Sequence, residues 1–142
     1  MKKTLLAAAT VAGLATGAQA SEKALVTVVT SPEPQTQLMA MVLTMQAVQQ
    51  GAQTRILLCG PGGDIALKDA PASVTAPQPP RDMSPQGLMQ KIMEAGATVE
   101  VCAIYLPGRG VGPEVLLDGV GVAKPPEMAG AMLKDDTVLW SF

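Results

Sequence analysis

The residues in this sequence best suited to chemistry are two cysteines and the segments immediately after them. Cys102 stands near the junction of a strand-like stretch, Thr98 to Ile104, and a segment built of Pro107, Gly108, Arg109 and Gly110. A thiol in that setting has a nearby cation and backbone amides, both of which favour the nucleophilic thiolate. Cys59 ends a second apolar stretch, Arg55 to Cys59, and runs into Gly60-Pro61-Gly62-Gly63. Two other readings are as concrete. A cysteine in an apolar strand serves as a small inert hydrophobe, and two cysteines in an exported chain suggest a disulfide. The residues themselves leave these readings open.

Other chemistries are limited by what is missing. The chain of 142 residues has no histidine, so neither a Ser-His-Asp nor a Cys-His pair can be built, and zinc loses its commonest nitrogen ligand. The carboxylates Glu94, Glu100, Asp135 and Asp136 make no convincing catalytic pair and are expected on a solvated surface. Gly60 to Gly63 lacks both the Gly-Lys-Ser/Thr ending of a phosphate loop and the G-x-G-x-x-G spacing. It is expected to be a turn that lets backbone approach a neighbour. Nine methionines raise Cu(I), since thioether and thiolate are soft ligands. Yet Met41 and Met45, Met89 and Met93, and Met128 and Met132 are each four apart, the spacing of core-facing helical residues. A copper site built from Cys59, Cys102 and a methionine is the third-ranked reading.

The compartment decides what a cysteine means. Met1-Lys2-Lys3, an apolar core from Thr4 to Ala15 and Ala18-Gln19-Ala20 before Ser21 form the three-part layout of a secretory signal peptide. The apolar run is shorter than the ~20 residues of a membrane span, so cleavage after Ala20 and a soluble periplasmic or secreted protein are expected, with no membrane contact afterwards. Residues 21–142 then suit a single domain with a modest core. They carry eight basic and twelve acidic residues, a net charge of −4. That balance, with 2% aromatic residues, argues against nucleic acid as a partner.

The elements that must position the cysteines are legible in the periodicity. Ala24 to Thr30 reads as a strand buried on both faces. Ser31 offers an N-cap, and Leu38, Met41, Val42, Met45 and Val48 recur at helical spacing before Gly51, predicting a helix over about 36–50. Arg55 to Cys59 is a second strand. A proline-rich loop over 69–81 precedes Ser84-Pro85, an N-cap followed by proline at the first helical position, and the helix carries Leu88, Met89, Ile92 and Met93 on one stripe. A third strand covers 98–104. A short helical segment at 113–117, a small strand at 119–122, a helix begun near Pro126 and a strand at 137–140 complete the order. Alternating strands and helices predict an α/β domain with a mainly parallel sheet of about five strands. Ligands in such sheets bind outside the carboxyl ends of the strands, where both cysteines fall.

Gly96-Ala97-Thr98-Val99-Glu100-Val101-Cys102, succeeded by Arg109-Gly110-Val111, resembles the segment around the sulfur-accepting cysteine of the DsrE/DsrF/TusD family, with its YchN-like fold. "QQGAQTRILLC", "GPGGDIAL", "LLDGVGV" and "DDTVLWSF" occur in matching order. The resemblance implies a three-layer α/β/α sandwich assembled as trimers or hexamers, and a cysteine that carries sulfur as a persulfide, an activity at most sulfurtransferase-like. On this sequence Cys102 would accept sulfane sulfur from a donor protein and pass it to a second thiol. Arg109, with the backbone from Gly108 to Gly110, would stabilise its charge. No metal or organic cofactor is implied. The family's sheet order would make the second and third strands neighbours, so Cys59 and Cys102 could pair as a disulfide. An oligomeric binding or assembly module with structural cysteines is the competing reading.

Overall fold

The computed structural model describes residues 23–142, so the leader expected at 1–20 lies outside the described residues. Five strands, β1 (Ala24–Val29), β2 (Gln53–Leu58), β3 (Thr98–Val101), β4 (Gly121–Val122) and β5 (Thr137–Ser141), form one sheet in the order β4-β3-β2-β1-β5. Every neighbouring pair is parallel. Parallel neighbours need crossovers: α1 (Pro34–Gln49) links β1 to β2 and α3 (Pro85–Glu94) links β2 to β3, while α5 (Pro125–Met132) carries the chain from β4 at one edge to β5 at the other. Shorter one-turn helices are α2 (Ala72–Thr75) and α4 (Tyr105–Arg109).

Alternation along the strands divides the core in two. Val29, Ile56, Leu58, Val99 and Val101 face the larger cluster with Met41, Met89 and Ile92 from α1 and α3. Val26 and Leu57, on the other side, pack with Met128 of α5 and with Ala123. The sheet is therefore sandwiched, and its central strands are apolar on both faces because both are covered. Met41, Met89 and Met128 are buried, as expected of packing residues.

The differences from expectation have local causes. Helix α1 starts at Pro34, with proline in its first turn where no amide is needed. Its N-cap is Glu33, while the Ser31 hydroxyl accepts the Glu33 N–H at 3.1 Å outside the helix. Ser84 does cap α3, its hydroxyl accepting from the Gly87 N–H at 3.1 Å. The proline-rich stretch is partly ordered as α2, anchored by buried Val74, and a bridge between Gln78 and Met83. Strand β3 ends at Val101, short of the expected Ile104. Glu100 is not simply solvated: it pairs with Arg55 on the neighbouring strand at 2.6 Å.

Candidate functional site

Cys59 and Cys102 meet because the sheet register makes them meet. Leu58 on β2 pairs with Val101 on β3, so the next residue of each strand emerges side by side. Alternation also turns both toward the same face, where they pack against the smaller core cluster. The Cys102 N–H donates to the Leu58 carbonyl at 2.8 Å, and the Cys59 N–H to the Val29 carbonyl at 2.9 Å. The parallel ladder is thus prolonged up to the cysteines. Their Cα atoms are 5.1 Å apart and their sulfurs are joined in a disulfide, within the spacing such bonds require. In this state the pair offers no thiolate to a sulfane sulfur or to a soft metal.

Beyond Cys102 the chain makes a helical turn, whereas its proline and glycines predict a loop. The Cys102 carbonyl accepts the Tyr105 N–H at 2.9 Å, and α4 begins there. Pro107 sits in its first turn, where a missing amide costs nothing. Gly110 ends it with φ +67°, a left-handed position suited to glycine. The N–H of Gly108 donates to Ile104 and that of Gly110 to Pro107. Those two amides are used inside the turn, which leaves Arg109 as the charged group the segment brings to the site.

Arg109 has its own partner. Its Nη1 lies 2.7 Å from Oδ1 of Asp64, and the Tyr105 hydroxyl donates to the same oxygen at 2.7 Å. The guanidinium also sits over the Tyr105 ring, 5.4 Å from its centroid, a favourable cation–π placement. Burial, then the hydrogen bond to Asp64 and the Asp64 charge, push the Tyr105 hydroxyl well above its ordinary range, with Arg109 pulling the other way. Asp64 lies in the 3-10 segment Gly60–Ala66 that succeeds Cys59. That segment can pass so close because Gly62 abuts the Val29 carbonyl and Gly63 abuts the Tyr105 ring. A side chain at either would collide.

The two cysteines, Asp64, Tyr105, Arg109 and Ile104 border an open cleft of about 410 Å³. Ile104 is 80% exposed, an apolar edge beside the disulfide. Asp64 and Tyr105 are not among the residues the sequence singles out. They are 41 residues apart, and only the packing of the glycine turn on α4 joins them. Among the described residues no group of three or more His, Cys, Asp or Glu could hold a metal ion.

No family model and no curated relative matches the sequence. Among solved structures, the YchN protein from E. coli superposes with a TM-score of 0.67 at 18% identity, covering 86% of this chain and all of its own. MTH1491 from Methanobacterium thermoautotrophicum, described as a protein of unknown function, gives 0.60 at 13% identity with the same coverages. The five-stranded parallel sheet, its covered faces and these two superpositions together establish that this chain has the YchN-like fold.

Proposed function

We propose that this protein is an exported sulfur carrier in which Cys102, once the disulfide is reduced, accepts sulfane sulfur as a persulfide. The observation that carries the reading is the pair of cysteines at the carboxyl edge of a parallel sheet, opening on a cleft that also holds Arg109. The Cys102 thiolate would attack the outer sulfur of a donor persulfide R–S–SH. The donor S–S bond breaks, R–S⁻ leaves and is protonated, and a new S–S bond forms on Cys102 Sγ. Arg109, shared between Asp64 and the cleft, would balance the negative charge of thiolate and persulfide. Reaching the thiolate requires a dithiol reductant to open the disulfide.

Export and self-association belong to the same proposal. Export rests on the leader-like layout of residues 1–20. Assembly into trimers or hexamers rests on the resemblance to the DsrE/DsrF/TusD family. The competing reading, a binding or assembly module with a structural disulfide, is favoured by the disulfide itself. Consumption of a small-molecule persulfide by the reduced protein separates the two. The carrier reading expects consumption that disappears in Cys102→Ser. An equal rate in that variant, or none in the wild type, would contradict it.

A further inference from the structure

Resting on the reading of Cys102 as the sulfur acceptor, we infer that Cys59 is a resolving thiol. The product of the reduced site is then hydrosulfide, with the Cys59–Cys102 disulfide as its end state. Strand register is the basis of this role. Cys59 and Cys102 each come directly after a paired position of two adjacent strands, and the amide of each is held by a backbone carbonyl of the strand beside it. Reduction removes the S–S bond and leaves that ladder in place, so the two thiols stay within bonding reach.

A persulfide on Cys102 has two electrophilic sulfurs. An outside thiol that takes the outer one carries the sulfane sulfur away. Cys59 is placed to take the inner one, because Sγ of Cys59 against Sγ of Cys102 is the contact already realised as a bond. The step is Cys59–S⁻ + Cys102–S–SH → Cys59–S–S–Cys102 + HS⁻. The Sγ–Sγ bond forms, the bond from Cys102 Sγ to the sulfane sulfur breaks, and the electron pair leaves with hydrosulfide. Sulfane sulfur is reduced to sulfide and the two cysteines are oxidised. An outside acceptor at millimolar concentration competes with a neighbour whose effective concentration reaches ~10⁵ M when well oriented. Resolution by Cys59 therefore outruns a freely diffusing acceptor, and the sulfane sulfur is passed on only to a thiol docked at the cleft, which shares the same proximity. The cleft of about 410 Å³ leaves room for the small anion to depart. A dithiol reductant returns the site to its starting state.

The test uses reduced, desalted protein with glutathione persulfide, monitoring released hydrosulfide, the intact mass and the alkylation state of both cysteines. The wild type is expected to release one hydrosulfide per disulfide formed. Cys59→Ser is expected to lose that release and to hold one added sulfur on Cys102, with Cys59→Ala as a second variant and thermal melting to confirm that each is folded. If the wild type itself keeps a stable persulfide on Cys102 while Cys59 remains alkylatable, the inference fails and the carrier reading stands. Hydrosulfide release by Cys59→Ser at the wild-type rate would also overturn it. If neither wild type nor variant takes up sulfur, both the inference and the carrier reading fall.

Discussion

At the scale of single residues, the site is a contest for one carboxylate oxygen. Asp64 Oδ1 receives both the Tyr105 hydroxyl and Arg109, so the cation that borders the cysteines' cleft is held in place while the disulfide is closed. On the proposed reading, Arg109 would be the counter-charge of a thiolate in the same cleft once the pair is reduced. Arg109→Ala is expected to slow alkylation of reduced Cys102 at neutral pH by roughly three- to tenfold, since an adjacent cation favours the charged thiol. An unchanged rate in a timed iodoacetamide assay would remove Arg109 from the account. Tyr105 gives a second handle. Its hydroxyl is held protonated in the folded state above its ordinary 10.0, so this contribution is fully present below pH ~10. Above that, the unfolded chain releases the proton first and stability falls as pH rises. Urea unfolding of wild type and Tyr105→Phe at about pH 9 and pH 11, either side of the ordinary tyrosine range, should show the wild type losing more stability between the two.

At the scale of elements, the site depends on how closely the segment after β2 lies on its neighbours. Gly62→Ala would push a methyl into the Val29 carbonyl and is expected to cost about 1–3 kcal/mol, the usual penalty for overpacking. Urea denaturation measures this directly, and a loss below about 0.5 kcal/mol would mean the turn moves freely. The same element scale separates what is legible in the sequence from what is not. The buried strands β1 and β2, the Ser84-Pro85 start of α3 and the order of elements are readable from β-branched runs, helical spacing and capping chemistry. Those are local signals. The segment after Cys102 defeats them, because Pro107 and Gly108 suggest a loop, whereas proline in a first turn and glycine just past a last turn are compatible with a one-turn helix. Glu100 escapes them for a related reason: its partner Arg55 is 45 residues away and only strand pairing brings it near. Asp64 and Tyr105 are invisible for the same cause.

For the molecule as a whole, the sheet order determines where a site can open. The order reverses between β1 and β5, the usual position of a binding crevice in open α/β sheets. Here the Phe142 carbonyl accepts the N–H groups of Thr30 and Ser31 at 2.8 and 3.3 Å, tying those two strand ends together. The cysteines lie further along the sheet, where β2 and β3 end. Their disulfide closes a 43-residue separation, for which chain entropy predicts a stabilisation of up to about 4 kcal/mol. The β2–β3 pairing is made by backbone groups rather than by the sulfurs, so the reduced protein is expected to fold with lower stability, by up to that amount. Guanidinium unfolding of oxidised and reduced protein checks this. A reduced chain that no longer folds would favour the structural module over the carrier.

The measurement that bears most directly on the account is the intact mass of reduced Cys59→Ser protein after exposure to a small-molecule persulfide, with and without a final reducing step. One added sulfur mapped to Cys102 and lost on reduction is the predicted result. A protein that remains unmodified while folded, with Cys102 still open to alkylation, would contradict the sulfur-carrier reading.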